Sequence, residues 1–478
     1  MQIQKKITQL LVVVSIIAVM ILPNIVTSYA NVNPEFVRIG LNYILAAPSN
    51  CQITSNLDLA VWDFKGADTF YALNNVKGIT ASVSNGVLSV KGVNNEELTC
   101  DTGGNLKNVS EMLLNGYYLV SSNYMGYLNA DVKEFDSVID YNGKAYRGGI
   151  SFFLNVNNTF NVINKLSIDE YTYGVINSEM GASNPMEALK AQAVVARSYA
   201  LTNLRRHEFN GYDLCDSTHC QVYKGYSGEN IKTNQAVDET KNLVVYYENK
   251  PVSAFFSKNS GGHTQNVEDV WNEKLGYLRG VADPYSPVYN WNAKLTFSEI
   301  ESKLRVSGYN IGNLESISII SRNSSGAVDT MEFTGSTGKA IITKEKIRSI
   351  LGISLIKSTM FDIKSETNTN TNVASRGVYV RGDSLSNLSE EKIYVMDASG
   401  KTSELNKGNL FVMNGALTCK LIEPDKDDSI ATGSFVNFDG LGSGHGVGLP
   451  QDSAIEMAKQ GFGFKEILNY FYTDIEIK

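Results

Sequence analysis

Two helix-start signals lie close together between residues 167 and 204, and this pair constrains the fold more than any other feature of the sequence. Ser167 and Glu170 have the Ser-x-x-Glu spacing of a capping box, and the helix that they begin is predicted to end near Gly181. Asn184 follows as a candidate N-cap, with Pro185 at the first helical position. The second helix is rich in alanine, so we expect it to pack closely against a neighbouring helix.

The two start signals also give roles to most carboxylates of this segment. Glu170 and Glu187 stand at the third position of their helices, where a glutamate side chain caps the helix start. Glu179 lies near the last turn of the first helix, where the helix dipole raises the pKa of a carboxyl group. A raised pKa keeps the proton available near neutral pH, as a general acid requires. Glu179 is therefore a candidate general acid; the alternative is a solvated glutamate in the turn between two helices.

Patterns outside this helical pair predict an α+β fold. Short apolar or alternating runs punctuated by Asn and Gly are typical of strands and turns. A polar, low-complexity run at 365–372 is typical of a flexible link. The other predicted regions are a β-rich stretch at 31–165, mixed strands and helices at 240–363, short strands at 377–438 and a helical stretch from Ser453 to Phe471.

The first thirty residues have the pattern of a secretory signal peptide. Lys5 and Lys6 precede a strongly apolar run from Leu10 to Leu22, and Ser28-Tyr29-Ala30 offers small residues for cleavage. The alternative is an uncleaved anchor helix, since the apolar run approaches the length of a short membrane span. The protein is therefore predicted to act outside the cytoplasm, and to contact the membrane only if this segment is retained.

The charge balance excludes nucleic acid as the main partner. The chain has 42 basic and 50 acidic side chains, which gives a net charge of −8 at pH 7. Binding to a phosphate backbone needs a concentrated basic surface. The same balance argues against electrostatic adhesion to an anionic membrane.

The chain has only five cysteines and four histidines. Disulfides persist outside the cytoplasm, so Cys51 and Cys100 could pair, while Cys419 is left over. The remaining two cysteines lie with two histidines in a fourteen-residue segment, as the ligand set of a closed structural zinc site. These candidate ligands are His207, Cys215, His219 and Cys220.

Zinc is not the only interpretation of these four residues. A Cys215–Cys220 disulfide is plausible outside the cell, and unlinked residues are the third alternative. A four-ligand site leaves no open position for a substrate or a water molecule. We therefore predict a structural Zn²⁺ and not a catalytic one.

Several longer motifs occur in a fixed order around Glu179. The motifs are INKLSIDEYTYGV at 163–175, Ser178-Glu179-Met180, EALKAQAVVARSYA at 187–200, QVYKG at 221–225, SGGHT at 260–264, Trp271, YLRGV at 277–281, DPYS at 283–286, GHGVGL at 444–449 and ILNYFY at 467–472. Together they resemble the stage II sporulation protein D / amidase-enhancer family, over about residues 140–363 and 434–478, while the N-terminal region resembles it only loosely.

The resemblance implies a secreted lytic transglycosylase that cleaves peptidoglycan glycan strands already stripped of stem peptides. In the family, the residue at the position of Glu179 is the catalytic acid/base. One carboxylate suffices for this reaction because the substrate's own C6 hydroxyl is the nucleophile, whereas hydrolysis usually needs a carboxylate pair. Some relatives also bind zinc through His and Cys at the positions described above.

The family also implies contacts to the substrate, each with a structural alternative. Lys190 and Arg197 would bind substrate, or would lie on a solvated helix face. His263 and His445 lie in Gly-rich loops and would line the cleft, or would be hydrogen-bonded structural histidines. The full set of candidate substrate-binding residues is Lys190, Arg197, Gln221, Tyr223, His263 and His445.

The sequence departs from the family pattern in one loop, which keeps a second function open. Ser443 stands where the family has an aromatic residue, and residues 449–452 also differ, so we expect sugar stacking in this loop to be altered. The second hypothesis is a non-catalytic enhancer that binds wall glycan or a cell-wall amidase. A plain adhesion or structural wall protein is the third, and it does not explain the segment around Glu179.

The predicted organisation combines these patterns. It comprises a signal peptide at 1–30, an N-terminal β-rich region at 31–140, a catalytic domain at 141–363, a linker and inserted module at 364–433, and a C-terminal completion of the catalytic domain at 434–478.

Overall fold

A computed structural model describes most of the chain after residue 35. The described ranges are 36–63, 69–124, 137–271, 273–365, 392–396, 402–406, 411–414, 417–420 and 430–478. The predicted signal segment at 1–30 and residues 366–372 of the predicted link lie outside the described residues. Among the described residues, no helix is long and apolar enough to cross a bilayer.

A seven-stranded sheet joins the N-terminal region to the segment before Glu179. Strand β1 is antiparallel to β13, with Phe36 opposite Ser167, so the last residue of β13 is also the cap of the following helix. In spatial order the strands are β14 (Leu214–Cys215), β1 (Phe36–Gly40), β13 (Phe160–Ser167), β12 (Gly149–Leu154), β9 (Tyr117–Ser121), β3 (Leu59–Asp63) and β4 (Thr69–Leu73).

A second, five-stranded sheet packs on the same core. In β2, Cys51 and Ile53 are buried and the alternate residues are exposed, as expected for a strand with one face on a core. The predicted Cys51–Cys100 pairing is not formed, because both are buried free thiols. The spatial order is β11 (Lys144–Tyr146), β10 (Ile139–Tyr141), β2 (Asn50–Thr54), β5 (Gly78–Ser84) and β6 (Val87–Gly92), followed in the chain by the pair β7 (Thr99–Asp101) and β8 (Leu106–Asn108) and by α1 (Val109–Leu114).

The helical layer begins at the predicted capping box. The Glu170 N–H donates to Ser167 Oγ at 3.2 Å, and the Ser167 N–H donates to Glu170 Oε2 at 2.9 Å, so this prediction is confirmed. The prediction that Asn184 caps the next helix is wrong, because its side-chain amide instead donates to the carbonyl of Gly181 at 2.9 Å and closes the turn. The helices are α2 (Ile168–Glu179), α3 (Met186–Thr202) and α4 (Ile231–Glu239).

The alanine-rich helix α3 lies at the centre of the helical layer. It packs against α2, α4 and the two C-terminal helices α8 (Gln451–Lys459) and α9 (Phe464–Phe471). Its small side chains allow this close approach from several sides. The predicted capping role of Glu187 is also wrong, because its Oε2 accepts the N–H of Phe464 at 2.9 Å and ties α3 to the start of α9.

Short strands connect the middle of the chain to its C-terminus. Strand β17 is parallel to β29, with Phe256 opposite Leu449, so the segment before α8 lies beside the segment after residue 255. These elements are β15 (Val245–Tyr247), β16 (Lys250–Pro251) and β30 (Glu476–Ile477) in one sheet, β17 (Phe256–Ser257) and β29 (Leu449–Pro450) in another, and the helix α5 (Val267–Val270).

A second hydrophobic core is formed by residues from two parts of the chain, 291–363 and 431–438. Phe333, Phe361 and Phe438 are completely buried in it, together with the largely buried Trp291. Its elements are β18 (Asn290–Thr296), β28 (Phe435–Leu441) and β22 (Phe361–Ser365) in one sheet; β21 (Gly338–Thr343), β20 (Val328–Gly335), β19 (Leu314–Arg322) and β27 (Ile430–Thr432) in another; and the helices α6 (Phe297–Val306) and α7 (Glu345–Leu351). Two further strand pairs are β23 (Lys392–Met396) with β24 (Thr402–Asn406) and β25 (Phe411–Asn414) with β26 (Leu417–Lys420).

The separate sheets and the helical layer confirm the predicted α+β fold. The predicted C-terminal helical stretch is two helices, with Gly461 at φ +94° in the break between them. The predicted domain boundaries stay predictions. Strands on both sides of the boundary at 140 share the seven-stranded sheet, so the two regions are continuous at this sheet.

Candidate functional site

Glu179 is the last residue of α2, and its side chain is half-buried. The backbone N–H of Val222 donates to its Oε1 at 3.1 Å. The side-chain amide of Gln451, at the start of α8, lies 3.3 Å from its backbone carbonyl oxygen. Three distant parts of the sequence therefore meet at Glu179.

Burial is the largest influence on the acidity of this group. It raises the pKa of Glu179 above its ordinary value, because the carboxylate form loses solvation. Hydrogen bonds from Val222 and Gln451 stabilise the carboxylate and oppose part of this rise. The direction agrees with the sequence prediction, but its main cause is desolvation rather than the helix dipole.

Two further glutamines lie beside Glu179. Oε1 of Gln192, on α3, accepts from the Gln451 amide at 3.4 Å. Oε1 of Gln221, the residue before Val222, accepts from the Tyr171 hydroxyl at 3.1 Å. The buried amide nitrogens of Gln192 and Gln221 have no hydrogen-bond partner among the described residues. Gln221 was a predicted site residue, whereas no local pattern distinguishes Gln192 or Gln451 from other glutamines.

Two of the predicted substrate contacts are ion-paired within the protein. The ammonium group of Lys190 bridges Glu187 at 2.8 Å and Glu239 at 2.7 Å, which joins α3 to α4. Arg197 is completely buried, and its guanidinium bonds to Asp169 at 2.9 Å. A direct contact between Arg197 and a substrate would require this ion pair to open, so the structure gives Arg197 a packing role.

Tyr223, another predicted contact, is 4% exposed and belongs to the core. Its hydroxyl donates to Asn164 Oδ1 at 2.8 Å. A side chain at Gly174 would meet the Tyr223 ring at 2.5 Å, so the glycine in α2 allows the ring to lie against the helix. Tyr223 therefore packs against the buried side of α2, the helix that carries Glu179, and is not itself on the surface.

A second buried carboxylate, that of Asp283, contacts the start of α8, the helix that carries Gln451. Asp283 is 2% exposed, and its Oδ2 accepts from the hydroxyls of Ser260 and Ser453, each at 2.6 Å. Burial raises the pKa of Asp283. Its Oδ1 has no hydrogen-bond partner among the described residues. Through Ser260 and Ser453, this carboxylate joins a Gly-rich loop to α8, at a position two residues after Gln451. The sequence analysis did not identify it as a site residue.

The two predicted cleft histidines occupy the Gly-rich loops as expected, but neither bonds to Glu179. His263 is half-buried, and its Nδ1 lies 2.6 Å from the carbonyl oxygen of Thr264. His445 packs on Trp271 with ring centroids 5.0 Å apart, and its Nδ1 accepts the N–H of Val447 at 3.1 Å. Burial lowers the pKa of His445 to about 4, so it is neutral at pH 7. His445 thus fits the structural alternative.

The predicted metal ligands converge on one point. All four ligand atoms of His207, Cys215, His219 and Cys220 lie within 4.8 Å of one another. Three of the separations between sulfur and nitrogen are 3.4, 3.7 and 3.7 Å. A tetrahedral zinc ion with Zn–S of ~2.3 Å and Zn–N of ~2.05 Å requires about 3.6 Å between such ligands. The set therefore fits a closed zinc site.

One of the two sulfur ligands is favoured as a thiolate. The hydrogen bond between the two cysteines lowers the pKa of Cys215 to about 4 and raises the pKa of Cys220, so the pair shares one proton, which a metal bound by both sulfurs would displace. Both cysteines are free thiols, so the disulfide alternative is not the state of this structure. The rings of Tyr43 and Tyr212 stack on His219 and His207, with centroids 5.5 and 5.0 Å apart.

Comparisons with known proteins agree with this arrangement. Residues 156–247 match a family described as stage II sporulation protein, and this range contains Glu179 and all four candidate metal ligands. Residues 233–382 match a domain of unknown function. The first of these matches supports the resemblance to the stage II sporulation protein D and amidase-enhancer family that the motifs predict.

Three relatives illustrate the extent of the similarity. An uncharacterised protein of Brachyspira hyodysenteriae is 28% identical over 376 residues, which cover 78% of this chain and 83% of that protein. The amidase enhancer of Bacillus subtilis is 30% identical over 302 residues, 63% of this chain and 39% of the relative. Stage II sporulation protein D of Bacillus subtilis is 30% identical over 204 residues, 39% of this chain and 59% of the relative.

Proposed function

We propose that the protein is a peptidoglycan lytic transglycosylase that cleaves glycan strands, with peptide-stripped strands as its substrate. The similarity of residues 156–247 to the stage II sporulation protein family, and of the chain to an amidase enhancer, supports a role connected with the cell wall. The observation that carries the specific activity is the half-buried Glu179, whose pKa is raised by burial at the meeting point of α2, the 221–222 segment and α8.

In the proposed reaction, Glu179 acts twice. The protonated carboxyl group donates its proton to the glycosidic oxygen, and the bond from that oxygen to C1 of the muramyl residue breaks. The carboxylate then accepts the proton of the C6 hydroxyl, whose oxygen forms a new bond to C1. The proton returns to Glu179, no water is consumed, and the strand ends in a 1,6-anhydro muramyl residue.

The surrounding carboxylates favour a single catalytic acid. Glu170 caps α2, Glu187 binds Lys190 and the start of α9, and Asp283 accepts two serine hydroxyls. Hydrolysis by the usual mechanism needs a second carboxyl group on the opposite side of the scissile bond. Asp283 has a structural task instead, because it holds the Gly-rich loop and α8 together.

A zinc ion bound by His207, Cys215, His219 and Cys220 would act through the fold of the site. These ligands would let the ion cross-link the 207–220 segment, and Val222, which contacts Glu179, follows Cys220 by two residues. The four ligands leave no coordination position for substrate. The ion would therefore take no part in the proton transfers, which Glu179 carries out. Its role would be to stabilise the position of the Val222 N–H that contacts Glu179.

A second function is favoured by a different observation. Arg197 and Tyr223 are buried and Lys190 is ion-paired, so three positions that the family resemblance assigns to substrate contacts are used internally. A protein that binds glycan or a cell-wall amidase without cutting the strand would not need these three side chains for catalysis, and they could be used internally. The relative named amidase enhancer makes the amidase the partner to test. Under both proposals the protein acts outside the cytoplasm, secreted and associated with the wall or anchored by its N-terminal segment.

Digestion of purified glycan strands separates the two functions. Peptide-stripped strands are incubated with the zinc-loaded protein, and the ends are identified by mass. New 1,6-anhydro ends support the transglycosylase, and intact strands across a range of pH contradict it. In a parallel arm, a cell-wall amidase acts on intact wall with and without the protein. Faster peptide release in the absence of new glycan ends would support the enhancer.

A further inference from the structure

Two lysines converge on one tyrosine beside the C-terminal Gly-rich loop. The ammonium group of Lys357 lies 5.4 Å from the centroid of the Tyr289 ring, and that of Lys258 lies 5.9 Å from the same centroid. Both separations are within the range of a cation–π contact. We call these three side chains the lysine–tyrosine cluster. It concentrates positive charge at one point of a chain whose net charge is −8.

The backbone fixes this cluster to the Gly-rich loop. The carbonyl of Tyr289 accepts the N–H of Gly442 at 2.9 Å, and the carbonyl of Lys357 accepts the N–H of Gly444 at 2.8 Å. Between them, Ser443 exchanges two backbone hydrogen bonds with Asn259, the residue after Lys258. The three cluster residues therefore come from three segments that all bond to residues 442–444.

The cluster also lies close to Glu179 through the start of α8. The N–H of Asp452 donates to the carbonyl of Lys258 at 2.9 Å. The preceding residue, Gln451, donates to the carbonyl of Glu179. Two adjacent residues of α8, whose Cα atoms are ~3.8 Å apart, therefore contact the backbone of the candidate acid and the backbone of the cluster.

The positive charge of the cluster is only weakly neutralised from within the protein. Lys258 pairs with Asp452 at 3.5 Å, and the Lys258 side chain is 54% exposed, so this ion pair is long and open to water. Among the described residues, Lys357 has no carboxylate within salt-bridge distance. Two ammonium groups near one ring repel each other, and an anion between them relieves that repulsion.

We propose that the lysine–tyrosine cluster is a subsite for a carboxylate-bearing sugar. The ammonium groups would bind the carboxylate, and the ring would cover the apolar face of the sugar. This inference rests on the proposed function: in a glycan strand, the lactyl group of a muramyl residue has a free carboxylate only where no stem peptide is attached. The cluster would therefore select peptide-free strands, with Tyr289 supplying an aromatic ring beside the loop in which Ser443 replaces one.

The test measures binding to the Glu179→Gln protein, so that the ligand stays intact. Three glycan oligosaccharides of equal length are compared: peptide-free, peptide-bearing, and peptide-free with the lactyl carboxylate reduced to an alcohol. We expect the peptide-free form to bind about tenfold more tightly than either of the others. Lys258→Gln and Lys357→Gln, each combined with Glu179→Gln, should remove most of this preference and leave the affinity for the reduced form unchanged.

A matched control is an exposed lysine on α7. Lys346 lies 5.2 Å from the ring of Tyr309 but its backbone does not bond to residues 442–444, so Lys346→Gln should leave the preference intact. Equal affinity for the three oligosaccharides would overturn the inference, as would a preference that survives both lysine substitutions. Failure of the proposed function is distinguishable, since it appears as wild-type protein that cuts no strand at all, whatever the binding preference.

Discussion

The backbone N–H of Val222 lies 3.1 Å from Oε1 of Glu179, so the segment that follows the last candidate metal ligand directly contacts the candidate acid. Cys220 and Val222 are separated only by Gln221, which is itself bonded to Tyr171 on α2. The metal cluster and the carboxyl group are thus neighbours along one short stretch of backbone. This proximity links the stability of the 207–222 segment to the geometry at Glu179.

The pH dependence of cleavage should have its alkaline limit set by Glu179. A general acid must be protonated, so cleavage persists below its raised pKa and is lost as the pH rises through that pKa. A hydrogen bond from Gln451 lowers this pKa, so Gln451→Ala should move the alkaline limit to higher pH. The measurement is the rate of cleavage against pH. The control is Gln235→Ala, which alters an exposed glutamine on α4 and should leave the alkaline limit unchanged. An alkaline limit that stays at the wild-type pH in Gln451→Ala would contradict the assignment of Glu179 as the general acid.

Removal of the metal should destabilise the protein. We expect one zinc per chain in metal analysis, and an increase in unfolding free energy of about 4 kcal/mol when free zinc is a thousandfold above its dissociation constant. Cys220→Ser should abolish both effects, because it removes one of the four ligands.

Cys100→Ser is the matched control for that experiment, since Cys100 is also a buried free thiol but lies outside the cluster. Its zinc content should equal that of the wild type. Reduced wild-type protein that contains no zinc after purification without chelators would contradict the metal assignment.

Ser453→Ala should destabilise the protein by about 1.5–3 kcal/mol, since it removes a hydrogen bond to a buried carboxylate. Because Gln451 stands on the same turn of α8, we also expect slower cleavage. Urea unfolding measures the first effect. Ser349→Ala, whose hydroxyl bonds to a backbone carbonyl on the exposed side of α7, should change stability little. Equal stability of the two variants would show that Asp283 does not hold α8 in place.

Arg197→Met should cost about 3–5 kcal/mol, because it leaves Asp169 without its buried partner. Lys190→Met should cost no more than about 1 kcal/mol, since the two glutamates that it pairs with are partly exposed. Thermal unfolding gives both values. A Lys190→Met protein that folds normally but binds glycan much more weakly would return Lys190 to the substrate contacts.

The parts of this account that the sequence predicted are those in which the interacting residues are close along the chain. The capping box at Ser167 and the metal cluster depend on local spacing, and the structure brings each set together. The cap at Asn184 was wrong because an Asn side chain can serve a turn as well as a helix start. Asp283 was missed because its partner Ser453 is 170 residues away, and no local pattern reveals such a pairing.

The predicted substrate contacts Lys190 and Arg197 also show how far a local pattern can predict a site. The helical pattern of α3 places Lys190 and Arg197 on one face, but it does not say what covers that face. In the structure α4 covers it, with Glu239 and the carbonyl of Val237 as partners. Tertiary packing, and not helix periodicity, decides that these cations are used within the protein.

The central claim is that Glu179 cuts glycan strands with the substrate's own C6 hydroxyl as nucleophile. The most direct measurement is the mass of the strand ends formed in water enriched in heavy oxygen, with wild type, Glu179→Gln and the control Glu456→Gln, a partly exposed glutamate that pairs with Lys459. We predict 1,6-anhydro ends without heavy oxygen for wild type and control, and a rate at least about a hundredfold lower for Glu179→Gln. Reducing ends that carry heavy oxygen, or cleavage by Glu179→Gln at the wild-type rate, would contradict the account.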